Sequence, residues 1–311
     1  MTRSRFSWTP ADIPDLAGRR VLVTGVTSGI GEQIALELAR HGAEVVLAAR
    51  DPVKLAATES DIRRQLPGAR LRALTVDLAD LSSVRRAAAG LAGSGPLHLL
   101  VNNAGVMATP YVRTGDGFEL QLATNHLGPF ALTGLLLPQL AESGEGRVVS
   151  TSSQAHRFAT RAPLGDPRIE TDGYSRWRAY AGSKLANLLF TYELDRRLRA
   201  AGLPVSALAA HPGYAATALM GTGRSIDGRS GRDWLLDAVF RLGGGPPTRA
   251  ALPTLMAATA DLPGGTYVGP GSLLQLRGAP RVVGSSRLSR NPGVQRRMWL
   301  LSEQATGVSY P

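Results

Sequence analysis

The chain has 311 residues, 43% of them hydrophobic and 19% charged, a composition that excludes intrinsic disorder and permits a sizeable core. It contains no cysteine, which excludes disulfides, thiolate metal sites and a cysteine nucleophile, and its five histidines include no HExxH pair. The formal charge of +11 is almost all arginine, because lysine occurs only at Lys54 and Lys184; no basic run is interleaved with aromatics, so no nucleic-acid partner is expected.

Residues 1–18 read as a polar N-terminal extension broken by Pro10 and Pro14, without the apolar core of a signal peptide. No apolar run approaches the ~18 residues of a membrane span. With the missing cysteines, this points to a cytoplasmic protein. Arg20 to Thr24 predicts a buried parallel strand, followed by a glycine turn, Gly25 to Gly31. Glu32 to Arg40 is helical, with Ile34, Ala35 and Leu38 on one side, and His41-Gly42 ends it. Strand Glu44–Ala49, helix Pro52–Leu66, strand Arg70–Val76, helix Leu81–Leu91 and strand Leu97–Val101 follow. Further on come a helix near Phe118–Leu140, a strand at Arg147–Thr151, a helix near Tyr180–Ala200 and a strand at Val205–Ala210. A helix around Thr248–Ala260 and a short strand near Thr266–Val268 are expected to close the sheet. This alternation predicts one α/β domain, doubly wound, with a parallel sheet of about seven strands and helices on both faces.

Three motifs carry chemistry. Thr24-Gly25-Val26-Thr27-Ser28-Gly29-Ile30-Gly31 joins a strand to a helix. Its glycines let backbone N–H groups approach a pyrophosphate, and the helix N-terminus favours negative charge. Asn102-Asn103-Ala104-Gly105 follows the fourth strand, at the end where ligands bind in doubly wound sheets. Tyr180 and Lys184 stand at i, i+4 on one helix face, where an ammonium is expected to lower the phenol pKa. Each motif alone also fits a plainer role: an ordinary turn, an Asx-rich turn, a surface Tyr–Lys pair.

Together, in this order, the motifs resemble the short-chain dehydrogenase/reductase family. The resemblance is specific over about 19–217 and looser beyond. It implies a Rossmann-like fold and a catalytic tetrad of Asn125, Ser153, Tyr180 and Lys184. Tyr180 is then the general acid–base, Ser153 the partner of the substrate oxygen, and Lys184 both the modulator of Tyr180 and a ribose contact. Asn125 is expected to hold a water leading from Lys184 to solvent. The resemblance also implies cofactor contacts at Gly25, Thr27, Ser28, Gly29, Ile30, Gly31, Asp77, Leu78, Asn103, Ala104, Gly105, Pro212, Gly213 and Thr217. It places the catalytic domain at 19–270, with an insertion at 154–179 and a substrate loop at 214–245, and a C-terminal extension, 271–311, packed on it.

The second strand ends Ala49-Arg50, without the acid that bonds the ribose 2′-OH of NAD. Arg50 suits a 2′-phosphate, so NADP(H) is expected over NAD(H). Ser153 and Tyr180 lie 27 residues apart, and with Ser152-Ser153-Gln154-Ala155-His156 this resembles the retinol-dehydrogenase-like branch. That implies a lipophilic small-molecule alcohol or carbonyl substrate. Phe158, Tyr174 and Trp177 of the insertion are candidates for one pocket wall, and Trp234 to Phe240 fits either a lid or a core-facing helix. His156 is expected to be structural. The family often pairs the helices near Phe118–Leu140 and Tyr180–Ala200 into oligomers, so a homo-oligomer is possible. A non-redox isomerase, dehydratase or cyclase using the same tetrad, and a regulatory dinucleotide-binding protein, are the alternatives.

Overall fold

In the computed structural model, which describes residues 8–166, 173–213, 245–272 and 274–311, the apolar runs pair into one sheet. Its strands are β1 (Arg20–Thr24), β2 (Glu44–Ala49), β3 (Arg70–Thr75), β4 (Leu99–Asn102), β5 (Gly146–Thr151), β6 (Val205–Ala210), β7 (Tyr267–Pro270) and β8 (Pro280–Val282). Their spatial order is β3-β2-β1-β4-β5-β6-β7-β8. All neighbours are parallel except β7 and β8. The expected strand near Thr266–Val268 therefore does not close the sheet; eight strands form, because residues after 270 turn back and add an antiparallel edge.

Alternation along each central strand feeds two cores. Val21 and Val23 of β1 join one cluster, together with α1 (Gly29–Arg40), α2 (Pro52–Gln65) and α6 (Pro247–Thr259). Leu22 joins the opposite cluster with α3 (Leu81–Ala89), α4 (Gly128–Glu142), α5 (Arg176–Ala200) and α7 (Pro292–Thr306). Local chemistry sets the helix starts. Asp51 and Asp80 each accept two backbone N–H bonds as N-caps of α2 and α3, and Asn291 does the same for α7.

The helix expected near Phe118–Leu140 is interrupted. A short turn, Leu120–Leu122, leads into a π-helical turn, Ala123–Leu127, before α4 begins. Such wide turns commonly mark functional positions, and Asn125 lies in this one. The C-terminal residues supply β8 and α7. Trp299 of α7 stacks on Phe190 of α5 and meets Phe130 of α4 edge-on, so α7 covers apolar surface on both helices expected to pair between subunits. No described helix is long and apolar enough to cross a membrane. Thr217, most of the 214–245 substrate loop, Trp234 to Phe240 and residues 167–172 of the insertion lie outside the described residues.

Candidate active site

The strand order reverses direction between β1 and β4, leaving a crevice at their C-terminal ends. The glycine turn and the Asn-Asn-Ala-Gly segment meet there. Gly25 has φ +74°, and a Cβ on it would sit 2.7 Å from the Ala104 Cα. Asn103 Nδ2 donates to the Thr24 carbonyl at 2.9 Å, and Thr24 Oγ1 accepts the N–H groups of Asn103 and Ala104 at 3.0 and 3.1 Å. Asn103 thus clamps the two turns. Thr24, its partner, was in the quoted motif but not among the expected site residues; a hydroxyl at a strand end was the available signal.

The cleft beyond this clamp is lined by Gly25, Thr27, Ser28, Ile30 and Gly31 from the first turn, and by Asn103, Ala104 and Gly105 from the second. Arg50, Asp77, Leu78 and Pro212 line it from neighbouring strand ends, and Tyr180 and Lys184 from α5. Gly29 opens α1 with φ +62°, behind the lining. Gly213 lies against the Leu276 carbonyl, also off the lining. Asp77 Oδ1 accepts the Ala79 N–H at 2.9 Å, which folds that strand end into an Asx turn.

Arg50 is exposed, and no hydrogen bond or ion pair engages its guanidinium among the described residues. Asp51 beside it is turned away, its Oδ1 accepting from Val53 and Lys54 N–H at 3.0 and 3.1 Å. The one carboxylate next to Arg50 is thus used as a helix cap.

The four expected catalytic residues converge. Lys184 is 4% exposed; its Nζ donates to the Thr151 carbonyl at 3.2 Å and lies 5.8 Å from the Tyr180 ring centroid. Asn125 Oδ1 accepts the Val106 N–H at 2.7 Å, while its Nδ2 donates to the Val106 carbonyl and to Ser183 Oγ, both at 2.9 Å. A Cβ on Gly105 would stand 3.0 Å from Asn125 Oδ1 and 3.3 Å from Lys184 Nζ, so all three share one spot. The Asn125 side chain is spent on joining the β4 loop to α5.

The two serines separate by partner. Ser152 lines the cleft, but its Oγ is engaged, donating to the Lys184 carbonyl at 2.8 Å. Ser153 lies close enough to the Tyr180 phenol to lower its pKa, and its Oγ accepts the Ala155 N–H at 3.2 Å.

Burial governs the charges. It raises the Tyr180 pKa above the ordinary phenol value, with Ser153 opposing it, and lowers Lys184 to about 8. In this low-dielectric spot desolvation is the largest influence on the phenol. The consequence is a protonated phenol at neutral pH beside a mostly charged amine.

The insertion splits. Trp177 meets the Tyr180 ring edge-on at 6.4 Å. Phe158 is 79% exposed. Tyr174 donates to Glu119 Oε1 at 2.9 Å and accepts from Gln121 Nε2 at 2.8 Å. Buried Gln121 also accepts the Ala108 N–H and donates to the Arg176 carbonyl, so it latches the β4 loop to the start of α5. Sequence reasoning missed Gln121, whose partners at 108, 174 and 176 are distant in the chain.

Comparison with known proteins agrees with this geometry. A family model described as short chain dehydrogenase matches residues 19–164. Human retinol dehydrogenase 13 is 40% identical over 301 residues, covering 95% of this chain and 87% of that protein. Mouse polyprenol dehydrogenase is 39% identical over 314 residues, covering 99% and 90%. The crystal structure of an uncharacterized protein from Mycobacterium paratuberculosis superposes with a TM-score of 0.80 at 44% identity, covering 98% of this chain and 99% of that one. The chain belongs to the short-chain dehydrogenase/reductase family of NAD(P)-dependent oxidoreductases, in its retinol-dehydrogenase-like branch.

Proposed function

We propose that the protein is an NADP(H)-dependent oxidoreductase that interconverts the alcohol and carbonyl forms of a lipophilic small molecule, with Tyr180 as general acid–base. The observation that carries this is the convergence of Ser153, Tyr180, Lys184 and Asn125 at the end of a cleft floored by the glycine turn. The residues present fit the dinucleotide. The close packing at Gly25 and the N-terminus of α1 suit a pyrophosphate, and the Arg50 guanidinium beside Ala49, unpaired among the described residues, suits a 2′-phosphate.

When bound, the nicotinamide supplies or accepts the hydride. This chain's residues manage the oxygen and its proton. Ser153 Oγ is already an acceptor for a backbone N–H, so its own O–H is left to donate toward the substrate oxygen or Tyr180. In reduction, Tyr180 Oη gives its proton to that oxygen as the carbon gains the hydride, leaving phenolate. In oxidation, the phenolate takes the alcohol proton. Placed proton transfer is worth ~10²–10⁴ in rate. The raised Tyr180 pKa keeps the phenol form, the one that donates in reduction, at neutral pH. Lys184, held near the phenol, offers a positive charge to the phenolate.

The substrate class rests on resemblance: the names of two relatives specify retinol and polyprenol, both long apolar alcohols. Trp177 beside Tyr180 gives an apolar surface that fits such a chain. The test is fluorescence titration with NADPH and NADH, then turnover of a panel of aldehydes and ketones of graded polarity. Tight NADPH binding with oxidation by apolar carbonyls is expected, and Tyr180→Phe should keep the binding and lose the turnover. Failure to bind either nucleotide, or undiminished turnover by Tyr180→Phe, would defeat the proposal.

A further inference from the structure

His156 is fully buried beside the site, and the proton transfer above makes no use of it. Its protonation can be read from its neighbours. The backbone N–H of Ser286 faces Nε2 at 3.1 Å, and an amide N–H only donates, so Nε2 is the bare acceptor. The ring proton then belongs on Nδ1, which lies 2.6 Å from the Ser153 carbonyl. That carbonyl also accepts the His156 backbone N–H at 3.1 Å. With Ala155 N–H on its Oγ, Ser153 is held at both its carbonyl and its hydroxyl. Its ψ and χ1 are thereby restrained, and its O–H is left free to donate.

The other contacts of this turn lead the same way. Gln154 Nε2 donates to Gln275 Oε1 at 2.6 Å, and the Arg157 guanidinium donates to the Gly284 carbonyl. Residues 275–286 thus grip the turn that carries Ser153 at three successive points, through Gln154, His156 and Arg157. The Tyr267 ring closes the remaining side of the imidazole, edge-on at 5.8 Å.

We propose that His156 is a positioning residue: in its Nδ1–H form it bridges the Ser153 carbonyl to Ser286, and so makes the C-terminal segment a working part of the active site. This rests on the role given to Ser153 above. Burial supports it by holding the imidazole pKa down to about 4, which keeps the ring neutral, as the bridge requires. The stake is geometric, since misplacing a group by ~1 Å can lower turnover ~10²-fold.

Two near-isosteres separate positioning from packing. In His156→Asn the amide nitrogen falls near the place of Nδ1 and keeps the bond to Ser153, but nothing reaches Ser286. In His156→Gln the longer side chain reaches Ser286 and leaves the Ser153 carbonyl without its side-chain donor. Positioning predicts that His156→Gln loses kcat about tenfold or more, with NADPH affinity unchanged, while His156→Asn keeps most of its kcat although both melt lower. In a Ser153→Ala background, His156→Gln should add no further loss. Equal kcat losses that follow the melting temperatures, or the same loss with and without Ser153, would overturn the proposal. Full activity of Ser153→Ala alone would instead sink the reading of Ser153 and the proposal with it. ¹⁵N NMR of the wild-type histidines gives a check that needs no folded variant. A protonated Nδ1 and bare Nε2 at His156 are expected, and the opposite tautomer refutes the bridge.

Discussion

Replacing Gly31 by alanine tests whether the glycine turn is a built cradle or an ordinary loop. A Cβ at this position would stand 2.5 Å from Asn103 Nδ2 and 2.8 Å from the Gly25 carbonyl carbon, with the Gly25 oxygen closer still. Two of those atoms are backbone, and Asn103 is itself tied to the Thr24 carbonyl, so no side-chain rotation relieves the clash. Overpacking of this kind costs about 1–3 kcal/mol, and fixed neighbours put Gly31→Ala near the upper end. Alanine returns up to ~1 kcal/mol in helix propensity, because Gly31 lies in the first turn of α1. The net is about 2 kcal/mol, or roughly 4–8 °C in Tm at ~2–4 °C per kcal/mol. The larger effect falls on the ligand. Displacing the Gly25 peptide moves the N–H groups meant for pyrophosphate, and losing one charge-assisted bond is worth ~1.5–3 kcal/mol, about 10–150-fold in affinity. Gly68→Ala is the control, because a Cβ there meets nothing within 4 Å. Thermal melts and NADPH fluorescence titrations read both effects. A Gly31→Ala protein with wild-type Tm and wild-type NADPH affinity would refute the cradle argument.

Arg50→Ala should weaken NADPH by about 10–150-fold and NADH little, since a guanidinium–phosphate bond is worth ~1.5–3 kcal/mol; equal losses in parallel titrations would remove Arg50 from the 2′-phosphate. Burial holds His126 and His156 down to about 4 and His211 to about 3, against the usual 6.5. The unfolded chain therefore takes up these protons first as pH falls. Their contribution to stability is full above about pH 6.5 and is lost between 6.5 and roughly 4–3, by up to ~1.4 kcal/mol per pH unit each. Melts at pH 7.5 and 5 should differ by many degrees, and a flat Tm would contradict the burial argument. Trp299→Ala removes a ring 2% exposed that stacks on Phe190 and lies under the Arg197 guanidinium at 4.4 Å. Urea unfolding should show a loss of ~3–5 kcal/mol, and a loss below ~1 kcal/mol would mean that α7 is not docked as described.

The repeating pattern of the chain was enough for the fold class and the floor of the cleft. β1, β2 and β4 are continuous apolar runs because parallel strands are covered on both faces, and glycine, Asn-Asn and Tyr–Lys stand at fixed offsets from strand and helix ends. These are local signals, carried by residues close together in sequence. What depended on distant residues was not legible. β8 exists because Pro280–Val282 finds the open edge of β7, and nothing in those three residues announces it. The π-helical turn that presents Asn125 is held by Val106 and Ser183, 19 and 58 residues away. Ser152 and Ser153 are equivalent by composition, and only their partners, the Lys184 carbonyl and the Tyr180 phenol, give them different work. The net shift of Tyr180 followed the same rule. Sequence shows the neighbouring lysine, but burial, the largest influence on the phenol, is a property of the whole packed molecule.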